Sequence, residues 1–337
     1  MTREPESILM VKPSALGDVI QHVVVARALK ERFPHAKLGW LVNASIAPIL
    51  EGVNAIDRIH RFERGKLKGL SGVLKNREAL FALRQELRAE RYDLVLDFQG
   101  LARSAWLAKG AGAERLIGFR EAREFAWLLY NEAYRVNQNA HAIDRSFELV
   151  DKAGIQLNRD AATDLESTEA ERKAIRAKLG EAKGRVVVVT PGARWPSKMW
   201  PAANWVELMQ GLPQGCDVVL SGAPNEVELC AGISKEVKRP TIDLCGKTSL
   251  RELAALFAIA DLAVGNDSGP MHLARAQGCK LVALFGPTQP ELTGPWRQIE
   301  DVIRAPDVDF EHRMYRRIPD ERIMRRIPVS EVLEACR

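Results

Sequence analysis

The 337-residue chain lacks most of the features that announce a class of protein. Its five cysteines, Cys216, Cys230, Cys245, Cys279 and Cys336, are scattered, with no C-x-x-C pair. Such a set excludes a disulfide frame and a cysteine zinc site and reads as reduced thiols. No apolar run approaches the roughly 18–20 residues that span a bilayer. The opening MTREPES is charged and has no apolar signal core, so a cytoplasmic protein is expected. There is no Walker loop, no G-x-G-x-x-G after a strand, no H-E-x-x-H and no G-x-S-x-G elbow. Charge is only mildly one-sided, at +5, and no RNA or DNA motif stands out. An anionic partner suits this balance, but nucleic acid is not demanded by it.

What is present is alternation. Hydrophobic content of 46% and charged content of 28% suit a soluble globular chain, long enough for two domains. SILMVK, KLGWLV and YDLVLDF read as buried strands, separated by helical stretches at Asp18–Phe33 and Ala79–Arg91. The pattern blurs between about Asn137 and Lys183. It then restarts with RVVVVTPG, CDVVLSG, PTIDLCG, ADLAVGND and KLVALFGP, each followed by a helix or a turn. Two open α/β units with parallel sheets, joined by a helical linker, are expected.

The unusual residues lie at strand ends, where open α/β sheets bind ligands. Asp18, in PSALGDVIQH, sits at a helix start. It either caps that helix or stands as a base whose charged form the helix dipole favours. In GNDSGPMHLARAQG, Asp267 or Ser268 can cap a helix, and the amides of Ser268 and Gly269 suit a phosphate. His272 there either touches a ligand or is merely packed. Lys198, in TPGARWPSKMWP, is a point charge suited to a diphosphate. Arg194 can assist it, and Trp195 and Trp200 either wall a pocket or fold back onto the domain. Glu226, in SGAPNEVE, either accepts two ribose hydroxyls or simply favours a helix start. Two basic groups, between Arg61 and Arg91 and between Arg313 and Arg326, read as solvated faces or as rims toward anionic lipid heads.

The ordered set KPSALGDVIQ, LDFQGLARSA, IGFREAREF, HAIDRSFEL, PGARWPSKMWP, SGAPNEVE, GNDSGPMHLA and LFGPTQPELTGPW resembles the bacterial lipopolysaccharide heptosyltransferases, glycosyltransferase family 9. QGLARS and HAIDR look more like the first heptosyltransferase, which acts on Kdo. One departure is the absence of cysteine from HRMYRRIPDERIMRRIPVSEV. The resemblance implies a GT-B fold, with two Rossmann-like domains facing a central cleft. It places an acceptor domain at 1–165, a linker at 166–184, a nucleotide-sugar domain at 185–310, and a segment at 311–337 returning toward the first domain. It implies inverting transfer of heptose from ADP-heptose to the Kdo/heptose core of an anionic glycolipid, without a metal or other cofactor. Contact with the cytoplasmic face of the inner membrane goes with such an acceptor. Asp18 matches the family's general base and Lys198 the phosphate-binding lysine. Glu226, Asp267, Ser268, Gly269 and His272 match the donor site, with Arg194 beside them. Ser14, Gly17, Arg103, Ser104 and Arg120 fall in the acceptor segments. Two other readings of the same chain are a GT-B sugar-nucleotide epimerase and a non-catalytic ADP-sugar-binding protein.

Overall fold

Short, fully buried apolar strands that alternate with helices can be satisfied only by a sheet covered on both faces, and the chain builds two of them. A computed structural model describes residues 4–63, 75–163, 165–180, 182, 184–308 and 320–337. It divides into two units, Met1–Thr163 and Asp164–Arg337. The basic residues Arg64, Lys66, Lys68, Arg313, Arg316 and Arg317 lie outside the described residues.

The first unit holds six parallel strands: β1 Ser7–Val11, β2 Lys37–Asn43, β3 Arg58–Phe62, β4 Leu94–Asp97, β5 Arg115–Phe119 and β6 Glu132–Tyr134. Their order is β3-β2-β1-β4-β5-β6. The second unit holds β7 Arg185–Thr190, β8 Cys216–Leu220, β9 Thr241–Asp243, β10 Leu262–Asn266, β11 Leu281–Phe285 and β12 Val302–Arg304. Their order, β12-β11-β10-β7-β8-β9, is the same arrangement seen from the other edge. Counted from each unit's own first strand, both run 3-2-1-4-5-6, the doubly wound Rossmann order. That order puts a crevice where the strand direction of travel reverses: between β1 and β4 in one unit, and between β7 and β10 in the other.

Three expectations are corrected by packing. The helix foreseen over Asp18–Phe33 is two helices, Leu16–Gln21 and Val23–Arg32, because the His22 ring donates from Nδ1 to the Asp18 carbonyl at 2.6 Å. The linker is part of the second unit. Its helix Glu169–Leu179 is capped by Thr168 and packs on the helix Leu250–Ile259. There Arg251 grips both oxygens of Glu171 at 2.7 Å, holding that carboxyl down at about 2. The C-terminal segment, in its described part, also belongs to the second unit. Its helix Val329–Ala335 packs on the helix Ala202–Gly211, and Val329, Val332 and Cys336 are buried in that unit's core.

Candidate active site

In the first unit the switch point is closed by its own hydrogen bonds. Asp18 is the third residue of its short helix, and its Oδ2 accepts the Ala15 N–H at 2.9 Å. The carboxylate therefore covers the helix start, and it remains half-buried rather than sealed. Beneath it, His22 is buried, with Nε2 3.0 Å from the Ser146 hydroxyl. Nδ1 must donate to a carbonyl, so Nε2 accepts. Burial, reinforced by Lys12, pushes the His22 pKa down to about 3, and the ring stays neutral. Ser146 comes from the helix Ala142–Lys152, whose first N–H groups are capped by His141 Nδ1 at 3.1 Å from Ile143 N. That is what the HAIDRSFEL stretch does here.

Across the crevice, Asp97 ends β4 with no exposed surface. It accepts from Gln99 N at 2.9 Å, Gly100 N at 3.3 Å, Ser104 Oγ at 2.9 Å and Tyr130 OH at 2.9 Å. Burial raises its pKa, and these four donors oppose the rise. Gln99 in turn receives the Ser14 N–H on Oε1 at 3.2 Å, which joins the two loops. Ser104, expected to face an acceptor, is buried with its hydroxyl donating to Asp97. Gly17 is buried in the short helix. Arg103 and Arg120 are exposed, the latter with its guanidinium 3.8 Å from the centre of the Trp127 ring.

The second unit arranges its switch point differently. Asn266 ends β10, also with no exposed surface. Its Nδ2 donates to the Pro191 carbonyl at 2.7 Å, and its Oδ1 accepts Trp200 N–H at 3.1 Å. One side chain thus pins both ends of the loop that carries Lys198. Lys198 Nζ then lies 2.5 Å from Asp267 Oδ2, and the Thr288 hydroxyl donates to the same oxygen at 2.5 Å. Asp267 was expected to bind donor. Its carboxylate holds Lys198 and Thr288.

Next to this pair the helix Gly269–Ala276 begins at Ser268, with no side-chain cap. Ser268 Oγ is buried without a hydrogen-bond partner. An uncapped helix start beside a held lysine has the charge and free donors that suit an anion. Glu226 lies in a turn before the helix Val227–Glu236, and its Oε2 accepts Ala223 N–H at 2.8 Å. Its carboxylate is laid over the loop after β7: a Cβ on Gly192 would come within 2.1 Å of Glu226 Cδ. Glu226 therefore shares the strand-end surface with the Lys198 loop.

His272 is buried in the helix after Ser268. Arg194 is exposed, with its guanidinium 5.5 Å from the centre of the Trp195 ring. Trp200 is not a pocket wall. It is 2% exposed, crosses Trp205 edge-on at 4.9 Å and donates Nε1–H to the Ile327 carbonyl at 3.1 Å. Sequence reasoning gave no role to Asp97, Asn266, Thr288 or His22. The available signal was a polar residue closing an apolar strand, as in LVLD and LAVGN.

Two Rossmann-type units, each wound 3-2-1-4-5-6, are the make-up of a GT-B fold. The chain belongs to glycosyltransferase family 9 (heptosyltransferase), whose model matches residues 80–316. It is 32% identical to lipopolysaccharide heptosyltransferase 1 of Pseudomonas aeruginosa, over 86% of this chain and 81% of that one. The solved structure of E. coli ADP-heptose lps heptosyltransferase II superposes with a TM-score of 0.79 at 25% identity, covering 98% of this chain and 97% of that one. E. coli heptosyltransferase WaaC with ADP superposes with a TM-score of 0.75 at 25% identity, covering 97% and 98%.

Proposed function

We propose that the protein transfers a heptose from ADP-heptose to the Kdo/heptose inner core of lipopolysaccharide, with inversion at the anomeric carbon. The observation that carries this reading is the Lys198–Asp267–Thr288 cluster beside the uncapped helix at Ser268. Its support is the ADP bound to WaaC in that solved structure and the core heptosyltransferases among the relatives. The diphosphate lies against Lys198 and the amides of Ser268 and Gly269, and Glu226 takes the ribose hydroxyls. As the C–O bond to the leaving diphosphate breaks, charge grows on its oxygens. The fixed lysine and helix dipole stabilise that charge without reorganising.

Asp18 is the base. It takes the acceptor hydroxyl's proton as the new glycosidic bond forms, when that hydroxyl has become acidic. His22 and the Ala15 amide keep the carboxylate's backbone and one oxygen in place. Arg103 and Arg120 offer exposed cations to an anionic acceptor. The reaction needs no metal, because Lys198 and the helix start supply the positive charge.

The test is ADP release on mixing ADP-heptose with a Kdo-lipid A acceptor, with mass spectrometry of the product and EDTA present throughout. Transfer that persists in EDTA supports the reading. An epimerised nucleotide sugar formed without acceptor, or binding without turnover, would replace it. Asp18→Asn should lose transfer by about 10²–10⁴-fold, and near-normal turnover by that variant would remove Asp18 from the mechanism.

A further inference from the structure

The first unit holds a buried charge to which the transfer mechanism gives no task. Lys12 directly follows β1 and is 7% exposed. Its Nζ donates to the Phe98 carbonyl at 3.2 Å. Phe98 follows β4, so the ammonium lies at the carboxyl ends of β1 and β4, where the sheet order reverses. A lysine ammonium has three N–H groups to place. Among the described residues the Phe98 carbonyl is the one acceptor it has, and no carboxylate comes within ion-pair distance of it.

The nearby acids are engaged elsewhere. Asp97 accepts from Gln99, Gly100, Ser104 and Tyr130. Asp18 turns Oδ2 to the Ala15 N–H. Burying an ammonium without a counter-ion costs free energy, and a ligand that brings one negative charge offsets that cost. The ammonium is also continuous with the base. The Phe98 ring lies 5.5 Å from the His22 ring, and His22 Nδ1 lies 2.6 Å from the Asp18 carbonyl. Lys12 and Asp18 thus stand at one strand end, joined by the PSALG turn.

We propose that Lys12 binds the carboxylate of a sugar-acid acceptor and so sets which hydroxyl is presented to Asp18. The proposal rests on the transfer reading above and names the acceptor group that this crevice holds. One ammonium suits one carboxylate. The N–H groups of Gln99, Gly100 and Ala15 are already given to Asp97 and Asp18, so a phosphate dianion would meet a single positive charge and none of these amides. As a strut alone, Lys12 would merely tie the loop after β1 to the loop after β4, and its loss would affect every acceptor alike.

The test compares two acceptors, the methyl glycoside of Kdo and the same glycoside with its carboxylate converted to a carboxamide. Wild-type protein should favour the carboxylate by about a hundredfold in kcat/KM. Lys12→Met should lose about that factor on the carboxylate and change by less than about threefold on the carboxamide. ADP affinity reports whether the variant is folded, and Lys12→Gln repeats the comparison if Lys12→Met is not. Equal losses on both acceptors reduce Lys12 to a strut and overturn the proposal, as does a wild type indifferent to the carboxylate. Turnover of neither acceptor by the wild type counts against the transfer reading instead. Calorimetry of the two glycosides without donor then decides the role of Lys12. Tighter binding of the carboxylate, lost in Lys12→Met, upholds it, and the absence of that difference overturns it.

Discussion

The two units share one strand order and end their fourth strand in the same way, with a fully buried polar residue, yet one ends in Asp97 and the other in Asn266. The difference decides which strand-end loop is drawn inward and which is braced from both sides. A carboxylate only accepts, so Asp97 draws the N–H groups of Gln99 and Gly100 inward. The first unit's other helix start is covered by Asp18. Neither start is left for an outside anion. An amide both donates and accepts, so Asn266 can brace the preceding loop from both ends and leave the helix at Ser268 uncapped. Identical topology thus yields a carboxylate-covered helix start in one unit and an uncapped one beside a lysine in the other.

The sharpest way to break this contrast is to compare Asp18→Asn with Lys198→Ala in the same assay. The first should lower kcat by about 10²–10⁴-fold with donor affinity unchanged. The second should weaken ADP binding and slow transfer together. Calorimetry beside initial rates separates them, and a matching pattern from both variants would erase the division of labour.

Exchanging the strand-end residues comes next. Asp97→Asn puts an amide NH₂ among groups that all donate, and should cost about 2–4 kcal/mol of stability in a urea melt. Asn266→Asp loses its donation to Pro191 and should loosen the Lys198 loop by a similar amount. If either is tolerated, the strand ends are not what distinguishes the units.

Acid should also tell the units apart. The folded His22 value of about 3 lies below its ordinary 6.5, so as pH falls through 6.5 the unfolded chain binds a proton that the native ring refuses. Stability is then lost between those values, by about 2–3 kcal/mol at pH 4.5. Burial lowers His60 too, in the same direction. Glu171, at about 2 beside Arg251, protects the second unit until pH falls below the ordinary carboxylate range. The first unit should melt earlier at pH 4.5, and His22→Gln should flatten that dependence.

The smallest effect is expected from Gly192→Ala. The new methyl would displace the end of a flexible Glu226 side chain. The melting temperature should barely move, while ADP affinity falls about tenfold.

The architecture was legible because buried parallel strands are near-continuous apolar runs: SILMV and LVALF are buried at every position. The edge strands Arg58–Phe62, Glu132–Tyr134 and Val302–Arg304 were not, since they are short and only partly buried. Lys198, Glu226, Ser268 and Asp18 could be singled out because each follows a strand. What supports them could not. Thr288 reaches Asp267 from the next strand's loop, and Ser146 reaches His22 from 124 residues away. Closures of that length leave no local spacing to read.

The bond from Trp200 to the Ile327 carbonyl has a consequence for the far end of the chain. Trp200 stands two residues beyond Lys198 and receives the Asn266 brace on its own amide. The tail thus acts as a peg beneath the Lys198 loop. A tag or trim at the C-terminus is, mechanically, an edit to the loop that carries Lys198.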